Sequence, residues 1–350
     1  MPNNKNDANS LKVHNTSMVL DAMMTMKTAT RRQLAQKTGL SQPTVNSIVQ
    51  ELENKGYVCP GTFAVSAGGR RPICYTLQTD QLRAATIRVL PQSMEYVVVT
   101  VDGTVILRNS WAVTDGDTHI AALQSLLRTL LKQDESIRVV SVGLPGVVGP
   151  GGVLYAIPQI PELEGVALAL ELDEQFNVPI YVENDMNLVA LGSVVAESGQ
   201  ATMSDMVFVH LGEGIGAGIV MNGRIIRGFS SFAGEIAYMV KPIGNPDGET
   251  LETLIAQAKS VVQQAQLIAG MIVSIICLLN PPVISFGSSL ASEKMLQHLR
   301  HECEKHLPLW TLPAFQIMTD EETAYDKGLM ALVIDELTNQ IMCQLSITPS

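Results

Sequence analysis

The sequence has only five cysteines, at 59, 74, 277, 303 and 343, and no C-x-x-C pair among them. That absence argues against dithiol and metal-ribbon patterns and leaves reduced thiols as the expected state. No apolar run reaches the ~20 residues that span a bilayer. The longest, Leu267 to Leu279, is interrupted by Gly270 and Ser274. The opening MPNNKNDANS is polar and contains no apolar leader segment. A soluble cytoplasmic protein with no membrane partner is therefore expected. No internal repeat or low-complexity tract is evident. The 350 residues, 46 % of them hydrophobic, suffice for about two or three domains with packed cores.

Charge is unevenly spread. Residues 1 to 77 hold nine Lys/Arg against four Asp/Glu, a net +5 within a total of −11, which leaves −16 on the remainder. Only the first segment suits a polyanion, and the overall acidity would have hidden it.

The basic segment has the order helix, turn, helix, hairpin. Thr30 to Thr38 carries Leu34 and Ala35 on one face, and Gly39 ends the helix with a residue free to adopt the left-handed turn. Ser41 is a good N-cap, Pro43 falls in the first turn, and Val45, Ile48, Val49 and Leu52 form one apolar stripe up to Gly56. Gln42, Thr44, Asn46 and Ser47 remain at the exposed N-terminal end, where short polar groups reach base edges or phosphates in a major groove. Strands at Tyr57 to Cys59 and Ile73 to Leu77 flank the tip SAGGRRP, which places Arg70 and Arg71 where a wing meets backbone or minor groove. With Arg31 and Ser41, these residues form the expected contact set for double-stranded operator DNA. A helix pair inside a larger all-α core is the duller alternative, and the joint spacing of helix, turn, helix and wing argues against it.

From about residue 82, strand-like and helical runs alternate: Ala85 to Val89, Tyr96 to Val101, Thr104 to Arg108, a helix His119 to Gln133, and Val139 to Gly143. This is an α/β layout. Three polar islands follow strands, at GLPG (143 to 146), END (183 to 185) and GEGIGAG (212 to 218), where open α/β sheets place ligands. The glycine-rich island suits either phosphate cradling or a tight hairpin. Asn184, Asp185 and Asn187 suit hydroxyl recognition, and Asn or Asp here equally suits a cap for the helix that follows.

Taken together, GGRRP, GLPG, VENDMN, GEGIGAGIVMNGRIIRG, FAGEIAY, LETLIA and LLNPPVISFG resemble the ROK proteins (repressors, open reading frames and kinases), over Asn15 to about Gly328. The resemblance implies a winged helix-turn-helix over 1 to 77. An actin-like, ribonuclease H-like sugar-kinase domain is implied over 78 to 350, its two lobes dividing near 190. It further implies a repressor with a sugar or sugar phosphate effector, a homodimer or homotetramer, and sugar contacts at Asn184, Asp185, Glu235 and Glu252. Tyr238 stands where the family has a zinc-bound histidine.

The departures from the family pattern are informative. Arg88 falls where family kinases carry the metal-organising Asp of a D-x-G-x-T loop, Glu213 replaces a Thr in the second phosphate loop, and Phe286-Gly287-Ser288 replaces a pair of glycines on the adenosine side. A carboxylate ~4 Å from a phosphate oxygen repels it by about 1 to 4 kcal/mol. Lost phosphotransfer is expected, with no catalytic residue and Asp185 kept for binding. No cofactor is expected, and no metal, since the family's cysteine run is absent and His298, His301, Cys303 and His306 do not share one helix face. An active ATP-dependent sugar kinase that binds DNA, and a regulator controlled by a protein partner, are the competing readings.

Overall fold

The computed structural model describes residues 4–63, 72–114, 116–195, 203–212, 214–239, 250–288 and 290–346. The first stretch runs α1 (Asn4–Met26), β1 (Thr28–Thr30), α2 (Arg31–Thr38), α3 (Gln42–Asn54), β2 (Val58–Phe63) and β3 (Ile73–Leu77). Next come β4 (Arg83–Val89), β5 (Ser93–Thr100), β6 (Val105–Ala112), α4 (His119–Gln133) and β7 (Ile137–Leu144). Then follow β8 (Val147–Val148), β9 (Leu154–Tyr155), α5 (Leu168–Gln175), β10 (Ile180–Asn184) and α6 (Asp185–Val194). The remainder is β11 (Met206–Gly212), β12 (Gly214–Met221), β13 (Arg224–Ile225), α7 (Leu251–Gln257), α8 (Val261–Leu279), β14 (Val283–Gly287), α9 (Glu293–Glu304), β15 (Ala314–Ile317) and α10 (Glu321–Ser346).

Two compact units result: Met1–Val142 with Leu172–Tyr181 and Leu332–Ser350, and Gly143–Glu171 with Val182–Ala331. This partition differs from divisions at 77 and near 190, because the segment 172–181 and the end of α10 return to the first unit.

In the first unit, α2 starts with a capping box: Thr30 Oγ1 accepts from Gln33 N at 3.2 Å while Gln33 Oε1 accepts from Thr30 N at 2.8 Å. Gly39, at φ 72°, closes it and donates to Ala35 O. Ser41 caps α3 by accepting from Thr44 N, and Val45, Ile48, Val49 and Leu52 are buried, as are Leu34 and Ala35 of α2 and Leu20 and Met23 of α1, the two helices that α3 touches. The helix α1 has no counterpart in the sequence reading, since its apolar residues make no clean stripe. The three-stranded sheet β1-β3-β2 completes the winged helix. Its register sets Cys59 opposite Thr76 and Cys74 opposite Thr30, so the two cysteines do not face each other.

The rest of the first unit is built on a sheet of order β10-β7-β4-β5-β6, and the second unit on one of order β13-β12-β11-β14-β15. In chain order these are the same pattern: an antiparallel three-strand meander whose first strand also borders the fourth. The chain thus has a structural repeat that is not evident in its sequence. Residues such as Val207, Val209 and Ile284 of the second sheet pack with Ile268, Ile272 and Ile276 of α8. By length and composition α8 could cross a membrane. Its buried face belongs to this core.

Candidate DNA-contacting face and candidate effector pocket

At the start of α3, Ser41, Gln42, Asn46 and Ser47 are exposed, while Thr44 is half-buried with its Oγ1 2.8 Å from Ser41 Oγ. The cap itself engages Ser41 and Thr44, so Gln42, Asn46 and Ser47 are the side chains left to face outward. Arg31 is placed differently from the expectation. Its guanidinium lies 4.8 Å over the Tyr75 ring and reaches Gln50 Oε1 at 3.3 Å and Glu53 Oε2 at 3.5 Å. It braces α2 against α3 and the wing strand. Arg70 and Arg71 lie outside the described residues.

The second unit holds a small pocket lined by residues of β8, the β10–α6 junction, β12 and the stretch 227 to 235. The junction supplies its polar wall. Asn184 caps α6, its Oδ1 accepting from Asn187 N at 3.1 Å, and its Nδ2 donates to Gly146 O at 2.7 Å and Asp185 Oδ1 at 3.0 Å. The cap reading of Asn184 therefore holds, and the same amide anchors the 143–146 loop.

Below it sits Glu183, which the sequence reading passed over. Only 3 % exposed, it accepts at Oε1 from Asn184 N and Asn187 Nδ2, both at 2.9 Å, and at Oε2 from Arg227 Nε at 2.8 Å and Arg227 Nη2. The partners are 44 residues apart, and no local signal links them.

Asp185 is half-buried at the first turn of α6 and accepts from Met186 N at 2.8 Å. Burial pushes its carboxyl up to about 6; the Met186 N–H and the His210 ring oppose this, while Glu235 adds to it. Burial likewise raises the Glu235 carboxyl, which lines the pocket. Asn184 and Glu235 are thus brought to one pocket, with Asp185 beside them.

Two expected contacts are placed elsewhere. Glu252 Oε1 accepts from Ile215 N at 2.7 Å, pinning the start of β12, and does not line the pocket. Tyr238 is 72 % exposed and packs its ring 5.2 Å from that of Phe232. Its single helical turn, Ile236–Tyr238, leaves the ring at the surface, away from the lining set.

The glycine-rich island is a strand pair. Gly212 and Gly214 face each other across the β11–β12 hairpin, and Glu213 lies outside the described residues. Gly218 is required by packing: a Cβ there would lie 2.0 Å from Met186 O. Near Gly287, a carboxylate that the sequence reading missed takes up the space. Glu321 Oε1 accepts from Ser288 N at 2.7 Å and Oε2 lies 3.3 Å from His210 Nδ1, and a Cβ on Gly287 would sit 2.4 Å from that Oε1. The His210 hydrogen bond holds Glu321 below the usual carboxylate range. In the first unit, Arg88 is half-buried in β4, 3.8 Å from Glu95. On α9, Cys303 faces the core, where burial pushes its thiol up to about 12, while His301 on the same helix and His306 in the turn after it are exposed.

A ROK family model matches residues 87–249 and a MarR family model residues 14–71. An uncharacterised protein of Clostridium perfringens is 34 % identical over 192 residues, 53 % of this chain and 62 % of that protein. The xylose repressor of Caldicellulosiruptor bescii is 27 % identical over 240 residues, 65 % of this chain and 59 % of its own length. The chain spans about 60 % of the length of these curated relatives. In three dimensions, the crystal structure of a ROK family transcriptional regulator, a homologue of the Escherichia coli Mlc protein, superposes with a TM-score of 0.72 over 96 % of this chain and 99 % of that one, at 16 % identity.

Proposed function

We propose that this chain, matched by a ROK family model over 87–249 behind a MarR family match over 14–71, is a sugar-responsive, DNA-binding transcriptional repressor. The observation that carries this reading is the capped α3, which turns Gln42, Asn46 and Ser47 outward from a basic segment. Its operator is double-stranded, its effector a small sugar-like molecule in the pocket of the second unit, and its compartment the cytoplasm.

The sugar-kinase-like part has lost phosphotransfer. Arg88 stands in place of the metal-organising carboxylate, and Glu321 sets a negative charge against the Gly287–Ser288 turn. Both disfavour Mg-ATP. The strand β6 lies at a sheet edge and exposes Val105, Ile106 and Leu107 at 46 %, 45 % and 39 %, which suits a second copy of this chain and supports a homo-oligomer.

Calorimetry with Mg-ATP, together with a sugar-dependent ADP assay, tests the reading. No heat and no ADP are expected. Micromolar Mg-ATP affinity with ADP release would make the chain a DNA-binding kinase instead.

A further inference from the structure

The helix α6 has one end at the pocket and the other packed without slack. Asn184, its cap, and Met186 in its first turn line the pocket. Further along, two glycines bring α6 onto α10 backbone to backbone: a Cβ on Gly192 would overlap Ala324 O, and one on Gly328 would overlap Leu188 O. Tyr325 of α10 and Leu188 of α6 also fill the space beside Gly143, the first residue of the loop that Asn184 Nδ2 holds through Gly146 O. No side chain stands between the two helices to yield, so a shift of α6 is carried to α10.

The helix α10 belongs to both units, Glu321 to Ala331 to the second and Leu332 onward to the first. Glu321 ties its start to Ser288 N and His210. Buried residues recur every four along it, Tyr325, Leu329, Val333, Leu337, Ile341 and Leu345. No Gly or Pro follows Gly328, so the usual causes of a kink are absent from the rest of the helix. At the far end, within the first unit, Tyr57 Oη donates to Gln344 Oε1, and Lys12 Nζ donates to Leu345 O at 3.4 Å while pairing with Glu51 of α3 at 2.9 Å. Tyr57 N in turn donates to Leu52 O of α3 at 2.9 Å. The helix that presents Gln42 and Asn46 is therefore bonded to the same two residues that hold the end of α10.

Resting on the effector reading of the pocket, we infer that α10 carries the pocket's state to α3: α6 passes it on where Gly192 and Gly328 let the helices touch, and Tyr57 and Lys12 deliver it. These four are positioning residues that act through the helix, which is the shared element that ligand and operator both bias.

The test uses the full chain. Calorimetry with glucose, mannose, N-acetylglucosamine and xylose selects a sugar that binds, and fluorescence anisotropy on a duplex selected from random DNA gives the ratio of Kd with and without it. In the native chain that ratio is expected to be roughly 5- to 150-fold. Tyr57→Phe with Gln344→Ala removes one uncharged contact at the far end of α10 and is expected to shrink the ratio by about 3-fold or more. Sugar affinity without DNA should stay within about 2-fold, as for changes remote from a site. Gly328→Ala, which wedges α10 from α6, should shrink the ratio likewise; if it fails to fold, the Tyr57–Gln344 double variant decides. A ratio unmoved in the double variant overturns the inference and leaves a sugar effector standing. A smaller ratio with an equal loss of sugar affinity marks general loosening and also overturns it. If no sugar binds, or the native ratio is 1, the effector reading falls and the inference with it.

Discussion

The helices α3 and α6 begin alike and end up doing different things. Each has a polar N-cap, Ser41 or Asn184, that accepts from the backbone N–H three residues on. At α3 the neighbouring polar side chains point to solvent and only the cap pair is occupied internally. At α6 nearly every polar atom is already bonded: Asn184 to the Gly146 loop, and Glu183 to Arg227, Asn187 and backbone. Helix ends of one design thus leave a set of exposed polar side chains at α3 and a braced pocket wall at α6.

Breaking the braced end gives the largest expected effect. Removing one partner of a buried ion pair typically costs 3–5 kcal/mol, and Glu183→Ala should lower stability in urea by about 3 kcal/mol, because Arg227 can partly regain water. The corresponding truncation at the other helix, Gln42→Ala, should leave the urea midpoint within about 0.5 kcal/mol, as for exposed positions generally. Equal losses at the two helices would erase the contrast.

The buried acid next to the cap sharpens it. An unfolded Asp releases its proton near 3.8 and the folded Asp185 near 6. Between those values the folded state binds more protons, so this group lowers stability as pH rises through the window. At about 1.4 kcal/mol per unit this is on the order of 3 kcal/mol above pH 6. Asp185→Asn, able to keep the bond from Met186 N, should stabilise the protein by that order at pH 7.5 and by little at pH 4. The charged groups that Asp185 meets are His210 on β11 and Glu235 before the Ile236–Tyr238 turn. Identical gains at both pH values would show that the charge is not the cause.

At the exposed end, each lost base-edge contact should relax discrimination by roughly 1 to 3 kcal/mol. Gln42→Ala and Asn46→Ala should therefore flatten sequence preference at single operator positions, read by competition among variant duplexes. Uniform weakening across all sequences would make these phosphate contacts. The smallest effect is expected at Lys27, 56 % exposed, which holds Asp102 at 2.6 Å. Burial of Asp102 is outweighed by its hydrogen bonds from Lys27, Thr100 and Thr104, which bring it to about 2. This stabilisation is complete above the unfolded value near 3.8 and fades as pH falls toward 2. Lys27→Gln should cost under about 1 kcal/mol in thermal melts at pH 7.

The contrast also explains what could be read from the sequence. In the winged helix the signals are local: Ser41 precedes its own helix, Gly39 sits at the turn and the stripe from Val45 to Leu52 repeats within one element, so α2, α3 and their caps follow the expected spans. The helix α1, which lacks such a stripe, did not emerge. Arg31 looked like a free cation, because Tyr75 and Glu53, which hold it, lie 44 and 22 residues away. In the pocket nearly every decisive pairing is distant: Glu183 with Arg227, Glu252 with Ile215, Glu321 with His210. Motif position pointed to Asn184 and Glu235, which line the pocket, to Asp185 beside them, and to Glu252 and Tyr238, which lie outside its lining. The glycines of the 212–218 island matched a phosphate loop in spacing, and Gly218 is there for the approach of Met186 O.

The central claim is that ligand in the second unit's pocket alters DNA binding by the first. Fluorescence anisotropy on duplexes selected from random DNA, with and without a saturating sugar that calorimetry shows to bind, tests this most directly. Coupling of 1 to 3 kcal/mol predicts a roughly 5- to 150-fold change in operator Kd for the native chain. An operator affinity indifferent to every sugar that binds the pocket would contradict the account.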